Sequence, residues 1–392
     1  MNGWLNAIGK MKKKLLFVIG MFAGGGAEKV LVNMVNQMDL SKYDITVYCV
    51  FNTGRRPKLK KGVKLYYSFK VGISSNDTIK GKSLKAVVLN TLFTYGWKWM
   101  PMKLFYRFAI REKYDYEIAY AEGIPHKIVA ASSNDNSKKY GWVHIDLTVT
   151  KRALEFFKSE KEERKCYKKM DKLVFVSDYA KDRFISKYGF EEKCVTKYNV
   201  NQNQLILDMS KENVNMTCTY RPLLVTVGRL HEQKGYDRLL KCVNKLKNRG
   251  YKFEVWILGD GAKKIDYEQY IDNHHLEDYV KLLGFQDNPY KYIKMADWFI
   301  APSRYEGYST VVSEAYILQK PVMVTDCSGM GELTENGKYG IMVDNSLEGI
   351  ESGLERILAL QAERYDKYLM LAKERSAYFE VDKRMEDLCE LF

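Results

Sequence analysis

The segment PSRYEGYSTVVSEA, residues 302–315, is the most informative stretch of the chain. It follows the apolar run Trp298–Ala301, which predicts a short buried strand, and it leads into a predicted helix, Thr310–Leu318. The N–H groups of Ser309, Thr310 and Val311 at the helix start have no partner within the helix, so they can bind phosphate. The segment therefore predicts a strand–loop–helix unit of a parallel α/β domain with an anion-binding helix start.

Two glutamates lie on either side of this helix start, Glu306 in the loop and Glu314 about one turn into the helix. Eight helical residues rise about 12 Å, whereas glycosidases hold their two carboxylates roughly 5–9.5 Å apart. The spacing favours two hydrogen-bonding ends of one extended ligand over a hydrolytic acid–base pair. Glu314 is suited to accept hydrogen bonds from a ribose diol.

Short apolar runs alternate with helical stretches along the rest of the chain, a pattern typical of parallel α/β units. The polar, Asn-rich stretch Tyr198–Asn215 is the predicted linker. We therefore predict two doubly wound domains and a final helix, with residues 1–199, 200–375 and 376–392 as their ranges. Such sheets bind ligands at the carboxyl ends of their strands, which predicts a cleft between the two domains.

Other predicted elements can be compared directly with the structure. Predicted strands are Leu15–Gly20, Asp44–Val50, Tyr116–Ala121, Tyr140–His144, Leu173–Ser177, Leu223–Gly228, Phe253–Gly259, Val280–Gly284 and Pro321–Thr325. Predicted helices are Ala27–Met38, Arg152–Met170, Gly235–Asn248 and about 382–391.

A second motif, GRLHEQKG at 228–235, also follows a predicted strand. It places Arg229 and Lys234 at the carboxyl end of that strand, on either side of a turn. Two fixed cations there could neutralise a diphosphate leaving group without a metal. Salt bridges on a solvated face are the alternative interpretation for either residue alone.

A glycine cluster, Gly24–Gly26, follows the first predicted strand. Glycines let a ligand approach the backbone closely, and the following helix start offers N–H groups to an anion, so Gly25 and Gly26 are candidate ligand contacts. The cluster matches neither a dinucleotide-binding fingerprint nor a phosphate-binding loop of the Walker type. A plain strand-to-helix turn is the alternative.

Composition narrows the class of protein further. The chain has 392 residues and a net charge of +14, which favours an anionic partner. Seven scattered cysteines without a Cys-x-x-Cys pair favour a reducing compartment over a disulfide or zinc framework. We expect no metal site, since His274 and His275 are adjacent and would not share a helix face. No apolar run is long enough to span a bilayer, and the start resembles a buried strand more than a signal peptide.

Residues 79–111 mix basic and aromatic side chains and contain no glutamate or aspartate. The aromatic and sulfur-containing side chains are Trp97, Trp99, Met100, Met102, Phe105, Tyr106 and Phe108. This composition is typical of interfacial segments and predicts docking on an anionic membrane surface. An ordinary helix pair with its aromatic residues in the core is the alternative.

Taken together, these motifs resemble glycosyltransferase family 4, a group of retaining enzymes with the GT-B fold. The similar segments include GGGAEKVLVNMVN, FVSDYAKDRF, GRLHEQKGYDRLL, EVWILGDG, PSRYEGYSTVVSEA and LQKPVMVTDCSGMGELTENGKYGIMV. They cover most of the chain except Tyr66–Arg111. The loop departs from the family at Tyr308-Ser309-Thr310, where many members have Phe-Pro or Phe-Gly.

The resemblance implies roles for individual residues. Arg229 and Lys234 would bind the donor diphosphate, and Glu306 would contact the transferred sugar. Backbone groups from Gly307 through Tyr308 and Ser309 to Thr310 would supply hydrogen-bond donors. Glu314 would hold the ribose, and the backbone at Phe285 would contact the base. His144, in GWVHID, corresponds to a histidine near the sugar, although a structural role at a strand end is its ordinary interpretation.

The sequence thus predicts a retaining, metal-independent hexosyltransferase that uses a nucleotide sugar, UDP-linked, as substrate and needs no cofactor. Its expected acceptor is a saccharide or polyprenyl-linked glycan for cell-surface glycans, on the inner face of the plasma membrane, with no nucleic acid as partner. Two alternatives remain open at this point. One is a nucleotide-sugar 2-epimerase of the same fold, and the other is a basic nucleic-acid-binding protein, although no known nucleic-acid module is present.

Overall fold

A computed structural model of the protein describes residues 12–70, 96–149 and 153–392. These residues form two compact units. Unit 1 contains the described residues up to Val176, together with Ala180–Val200 and Met385–Phe392. Unit 2 contains Ser177–Tyr179 and Asn201–Arg384.

Unit 1 is built on a seven-stranded parallel sheet with the strand order β3-β2-β1-β4-β5-β6-β7. The strands are β1 Lys13–Met21, β2 Tyr43–Asn52, β3 Lys64–Lys70, β4 Tyr116–Ala119, β5 Lys138–Val143, β6 Lys172–Phe175 and β7 Cys194–Thr196. The interior strands are buried on both faces, because parallel crossovers place helices on each side of the sheet. For this reason Leu15–Ile19 reads as a continuous apolar run whose side chains are at most 2% exposed.

The helices beside this sheet in the described residues include α1 Gly26–Gln37, α2 Met102–Ala109, α3 Ile124–Ala130, α4 Glu160–Lys168 and α5 Asp178–Tyr188. Short 3₁₀ turns lie at Ala153–Phe156 and Glu191–Lys193.

The last residues of the chain are part of the core of unit 1. The Phe392 ring contacts four aromatic rings edge-on or stacked, with centroid distances from 5.4 Å to 6.3 Å. These rings belong to Phe17, Tyr43, Tyr116 and Tyr140. The Tyr140 hydroxyl also donates to the Leu391 carbonyl oxygen at 2.9 Å.

Unit 2 contains a six-stranded parallel sheet with the strand order β10-β9-β8-β11-β12-β13. Its strands are β8 Leu223–Val227, β9 Glu254–Leu258, β10 Val280–Gly284, β11 Trp298–Ala301, β12 Val322–Thr325 and β13 Ile341–Val343. Its helices are α6 Asn203–Met209, α7 Tyr236–Asn248, α8 Lys264–Asn273, α9 Tyr290–Met295, α10 Thr310–Ile317, α11 Met330–Thr334, α12 Leu347–Leu358 and α13 Ala362–Ser376. Short 3₁₀ turns lie at Glu232–Lys234 and Ala377–Phe379, and the final helix, α14, is Val381–Cys389. The predicted doubly wound α/β architecture is therefore confirmed in each unit.

Two local predictions differ from the structure. The predicted linker Tyr198–Asn215 includes the passage from unit 1 to unit 2 at Val200 and Asn201, but it also contains helix α6, whose Ile206 is 2% exposed. A helix of fewer than two turns shows too little periodicity to be recognised. The second is the predicted helix Arg152–Met170. In its described part, helix α4 begins only after Ser159, whose side chain caps the helix by accepting from the Glu162 N–H.

Three strands, β3, β7 and β13, were not predicted. β7 and β13 have only three residues each, and all three strands lie at sheet edges. Strands β7 and β13 are too short to show a period, and β3, with the sequence KLYYSFK, lacks a continuous apolar run.

The basic aromatic segment is only partly described, since residues 79–95 lie outside the described residues. Trp97 and Tyr106 are 1% and 2% exposed, as the core interpretation predicts. Trp99 and Phe108 are instead 70% and 71% exposed. The core interpretation is therefore confirmed for Trp97 and Tyr106, and docking on a membrane stays a prediction for the exposed side chains. Among the described residues, no helix combines the length and apolar character needed to cross a bilayer.

Phe392→Ala should lower the free energy of unfolding by about 2 kcal/mol, because it removes four aromatic contacts from a partly exposed ring. Chemical denaturation followed by tryptophan fluorescence measures this change. Met370→Ala, at a side chain that is 72% exposed, is the matched control and should change stability by less than about 0.5 kcal/mol. Equal effects of the two substitutions would contradict the packing role of Phe392.

Candidate functional site

The two predicted donor motifs follow neighbouring strands in unit 2. The Arg229–Lys234 motif follows β8, and the Glu306 loop follows β11. These strands pair in parallel, Trp298 with Leu224 and Phe299 with Val225. Because parallel strands end at the same edge of a sheet, both loops lie at the edge where such sheets bind ligands.

Glycines allow these loops to approach each other. Gly235 has φ of +69°, and a Cβ atom at this position would lie 2.0 Å from the Pro302 carbonyl oxygen. At Gly228, a Cβ atom would lie 2.8 Å from Cε of Lys234. Any larger residue at Gly235 would force the two loops apart, so the sequence requires glycine there for a physical reason.

Hydrogen bonds hold the two loops in this arrangement. The Arg304 N–H donates to the Gln233 carbonyl oxygen at 2.8 Å, and the Gln233 side-chain amide donates to the Tyr305 carbonyl oxygen at 3.0 Å. The Arg304 guanidinium also forms a bidentate pair with Asp237, with two N···O distances of 2.7 Å. Bidentate pairs fix orientation as well as distance, so the backbone around Glu306 is held rigidly.

Lys234 and Glu306 form the central charged pair of this site. Lys234 Nζ lies 2.6 Å from Glu306 Oε1, and the two side chains are 17% and 11% exposed. Ser303 Oγ donates to the same oxygen at 2.8 Å, and the Ser303 carbonyl oxygen in turn accepts from the Thr325 hydroxyl. The sequence-based prediction did not include Ser303, which nothing in its local pattern distinguishes from an ordinary strand-end serine.

Arg229 lies in the same loop and is exposed. Within the described residues, its guanidinium has no hydrogen-bond or ion-pair partner. It therefore remains available to an anionic ligand near the Lys234–Glu306 pair.

Helix α10 begins at Thr310, as predicted. Ser313 is the first of its residues whose N–H donates within the helix, to the Ser309 carbonyl oxygen. No described group accepts from the N–H groups of Thr310 and Val311. Ser309 is 3% exposed, and its hydroxyl has no protein partner either. These groups are the unsatisfied donors that an anion at a helix start would use.

The remaining residues of this segment are buried. The Tyr308 ring is 5% exposed, and burial raises the pKa of its phenol to about 12, so it packs in the interior rather than lining an open pocket. Glu314 is 1% exposed. Gly307 lies against Gly329. A Cβ atom at Gly329 would be 2.1 Å from the Gly307 carbonyl oxygen. The sequence-based prediction missed Gly329, although its position after β12 marks it as a turn glycine.

Phe285 follows β10 at the same edge of this sheet and is 54% exposed. The preceding Gly284 has φ of +67°, and its carbonyl oxygen accepts from the Gly259 N–H at 2.7 Å. Gly259 itself lies close to the Gly228 backbone. A Cβ atom at Gly259 would be 1.9 Å from the Gly228 carbonyl oxygen. These glycines bring the chain at Phe285 next to the loop that carries Arg229.

The glycine loop of unit 1 differs from its prediction. The N–H groups of Ala23, Gly24 and Gly25 all donate to Glu28 Oε2. A carboxylate of the chain therefore occupies the position expected for a ligand anion, because Glu28 lies in the first turn of α1, where negative charge is favoured. The Gly25 N–H is therefore already bonded within the chain, and Gly26 is the first residue of α1; their contacts with a ligand stay predictions.

His144 lies just after β5 in unit 1 and is 9% exposed. Its Nε2 is 3.0 Å from the Tyr120 carbonyl oxygen. A carbonyl oxygen only accepts, so Nε2 carries the proton and Nδ1 is left as an acceptor. Burial lowers the pKa of His144 to about 4. The imidazole is therefore neutral at physiological pH, which suits a hydrogen-bonding role rather than that of a cationic acid.

Glu122, which the sequence-based prediction missed, holds the backbone at His144. Its Oε1 accepts the N–H groups of His144 and Ile145. Burial raises the pKa of this carboxyl group to about 7. No group of three or more histidine, cysteine, aspartate or glutamate side chains arranged to hold a metal occurs in the described parts of the chain.

A model of a known protein family matches the segment of the chain that carries the Lys234–Glu306 pair. Residues 213–374 match the family model described as glycosyl transferases group 1. This segment is therefore similar to the group 1 glycosyltransferases. The predicted family resemblance is thus confirmed at the level of group 1 for the part of the chain that contains Arg229, Lys234, Glu306 and Glu314.

Two relatives match this chain over part of their length. One is the alpha-D-kanosaminyltransferase of Streptomyces kanamyceticus, 31% identical over 31% of this chain and 32% of the relative. The other is N-acetylgalactosamine-N,N'-diacetylbacillosaminyl-diphospho-undecaprenol 4-alpha-N-acetylgalactosaminyltransferase of Campylobacter jejuni. It is 31% identical over 42% of this chain and 45% of its own length. The matches therefore span less than half of either relative.

Solved structures resemble the chain over nearly its whole length. Anabaena HepE, solved with UDP and glucose, has a TM-score of 0.70 and 18% identity over 97% of this chain and 99% of its own. The sucrose-phosphate synthase of Thermosynechococcus elongatus has a TM-score of 0.75 and 14% identity over 97% and 98%. The chain therefore has the GT-B fold.

The His144 imidazole should titrate near pH 4 rather than near 6.5, because its neutral form is favoured by burial. NMR of protein with ¹³C-labelled histidine measures this titration, and the signal lost in His144→Gln identifies the residue. Since the unfolded chain takes up this proton near pH 6.5, the group reduces stability as pH falls from about 6.5 towards 4. A His144 signal that titrates near 6.5 would contradict the buried, neutral state.

Proposed function

We propose that this protein is a glycosyltransferase that moves a sugar from a nucleotide sugar, UDP-linked, to a saccharide or lipid-linked saccharide in cell-surface glycan synthesis. The observation that carries the proposal is the arrangement at one sheet edge of unit 2. There Arg229 and the Lys234–Glu306 pair lie beside the unsatisfied N–H groups at the start of α10. The group 1 glycosyltransferase match over 213–374 and the fold shared with HepE, which was solved with UDP, support it.

The chemical task of such a reaction is to stabilise a departing diphosphate and a positive charge at the anomeric carbon. Fixed cations and helix N–H groups do this because they need no reorganisation as charge develops. In the proposed reaction, Arg229 and Lys234 stabilise the diphosphate, so no metal is required. Glu306 accepts hydrogen bonds from the sugar hydroxyls, and Glu314 from the ribose.

The proposed reaction retains the configuration at the anomeric carbon. A front-face route, in which the leaving phosphate helps to deprotonate the acceptor hydroxyl, requires no nucleophile from the protein. In this route His144 contributes a neutral hydrogen-bonding ring. The lipid-linked acceptor is supported by the Campylobacter jejuni relative, whose name specifies a diphospho-undecaprenol substrate.

Lys234→Ala or Arg229→Ala should lower the rate of sugar transfer at least about 100-fold, because each removes a fixed charge from the leaving group. A thermal-shift panel of UDP-, GDP-, ADP- and dTDP-linked sugars first identifies the donor, since a ligand that binds the native state raises the melting temperature. Radiolabelled transfer to a membrane extract then measures the rate. Lys241→Ala, an exposed lysine on α7, is the matched control.

Transfer near the wild-type rate in both variants would contradict the diphosphate role. A change in the donor sugar without any acceptor would instead indicate a nucleotide-sugar epimerase. If chelation with EDTA abolished transfer, the metal-independent form of the proposal would be wrong.

We also propose that the surface formed by Trp99, Leu104 and Phe108 docks on an anionic membrane. These side chains are 70%, 55% and 71% exposed. The exposed cations Lys103 and Arg107 lie on the same helix, α2, between and beside the apolar residues. Exposed apolar side chains interleaved with cations match the lipid interface and its negative charge.

The opposite side of this surface is anchored in unit 1. The Tyr106 hydroxyl donates to the buried Glu117 carboxylate at 2.8 Å. The ammonium of Lys127, which is 3% exposed, donates to the Trp97 carbonyl oxygen at 3.0 Å. Lys158 Nζ lies 4.1 Å from the Trp99 ring centroid. The apolar side chains are therefore held outward by a fixed backbone, so inserting them into a membrane does not require the unit to unfold.

The triple substitution Trp99→Ser, Leu104→Ser, Phe108→Ser should reduce cosedimentation with vesicles of phosphatidylglycerol at least about tenfold. Wild-type protein should bind these vesicles better than vesicles of phosphatidylcholine. Met370→Ser, which changes an equally exposed apolar residue in unit 2, should leave binding unchanged. Equal sedimentation of wild-type protein with both kinds of vesicle would rule out docking on an anionic surface.

A further inference from the structure

The Lys234–Glu306 pair places a negative charge beside the cation that the proposed diphosphate would use. Glu306 Oε1 accepts from Lys234 at 2.6 Å and from Ser303 Oγ at 2.8 Å. Both side chains are largely buried, so water screens this pair less than a surface pair. In the described part of the chain, no donor reaches the other carboxylate oxygen, Oε2.

A phosphate bound at Lys234 would therefore also lie close to the Glu306 carboxylate. Two negative charges near each other in a partly buried site repel, and the anion must share the ammonium with Glu306. Arg229 is exposed and unpaired in the described residues, so it attracts the anion without a built-in competitor. The two cations of the motif thus differ. Arg229 attracts phosphate without a competing carboxylate, whereas Lys234 is already paired with Glu306.

A ligand that carries sugar hydroxyl groups differs from a bare diphosphate at this carboxylate. Hydroxyl groups donate to a carboxylate without adding charge, and hydrogen bonds to charged groups are the stronger ones. A nucleotide sugar can therefore offset the repulsion at Glu306 with its hydroxyl groups, whereas a nucleoside diphosphate cannot. An unpaired charge that disfavours the wrong ligand is a recognised source of specificity.

On this basis, and resting on the proposed function, we propose that Glu306 discriminates against the sugar-free nucleoside diphosphate. In the free protein it pairs with Lys234 and weakens binding of a bare diphosphate. When a nucleotide sugar binds, the sugar hydroxyls donate to its carboxylate. After transfer that compensation is lost, which favours release of the nucleoside diphosphate product, a step that limits turnover in many enzymes.

Glu306→Gln tests this proposal, because the amide keeps the size and the acceptor oxygen for Lys234 and Ser303 but removes the charge. We expect the variant to bind pyrophosphate and UDP about tenfold more tightly than the wild type, as measured by isothermal titration calorimetry at constant ionic strength. Glu232→Gln is the matched control. It changes the net charge equally at an exposed residue of the turn that also carries Lys234, and it should alter affinity less than twofold.

A double variant shows whether the gain acts through Lys234. In Lys234→Met protein, the additional Glu306→Gln change should still increase affinity for pyrophosphate, because the direct repulsion between the carboxylate and the anion remains when the ammonium is gone. Unchanged or weaker pyrophosphate binding by Glu306→Gln would overturn the proposal and indicate that Glu306 only orients Lys234. Loss of the gain in Lys234→Met protein would contradict the direct repulsion and would overturn the proposal as well.

The two probes separate this inference from the proposed function. Pyrophosphate contains neither base nor sugar, so its binding to Glu306→Gln tests the charge competition alone. If UDP binds no more tightly than pyrophosphate to the wild type and to every variant, the UDP-linked donor is wrong, whatever pyrophosphate shows. Thermal unfolding of each variant, expected within a few degrees of the wild type, shows that the comparison is between folded proteins.

Discussion

The candidate site depends on backbone segments that approach each other more closely than any side chain would allow. The loop after β8 touches the loop after β11 at Gly235 and Pro302, and the loop after β12 touches the latter at Gly329 and Gly307. A Cβ atom at Gly235 or Gly329 would lie 2.0 Å or 2.1 Å from a carbonyl oxygen. These contacts bring functional groups from three strand ends together without long side chains having to bridge the gap.

This close packing decides the electrostatics of the site. With the loops in contact, Lys234 reaches Glu306, and both are held mostly away from solvent. The bidentate Arg304–Asp237 pair lies beside them and fixes the backbone. A site built this way is preorganised, because its charges are already oriented when a ligand arrives. Because Lys234 and Glu306 already form an ion pair, a ligand that binds Lys234 must replace or share its contact with Glu306.

The strand–loop–helix units of unit 2 could be predicted from the sequence. Strands Val280–Gly284 and Trp298–Ala301 have the predicted bounds, since each is a short, mainly apolar run. The three-residue strands β7 and β13 and helix α6 could not be predicted, because so few residues show no period. The Gly25 contact was predicted from the glycines and the helix start that follows them and stays a prediction, whereas only the structure shows that Glu28 accepts the Gly25 N–H.

The sequence by itself determined the type of fold, the position of the cations Arg229 and Lys234 at a strand end, and the start of α10 at Thr310. These are local properties, because strand, turn and helix start are set by residues close together in the chain. Only the tertiary structure decided that Lys234 pairs with Glu306, that Ser303 supports the pair and that Tyr308 is buried. Such contacts join residues up to 72 positions apart, and no local pattern encodes a distance between loops that meet only when the sheet forms.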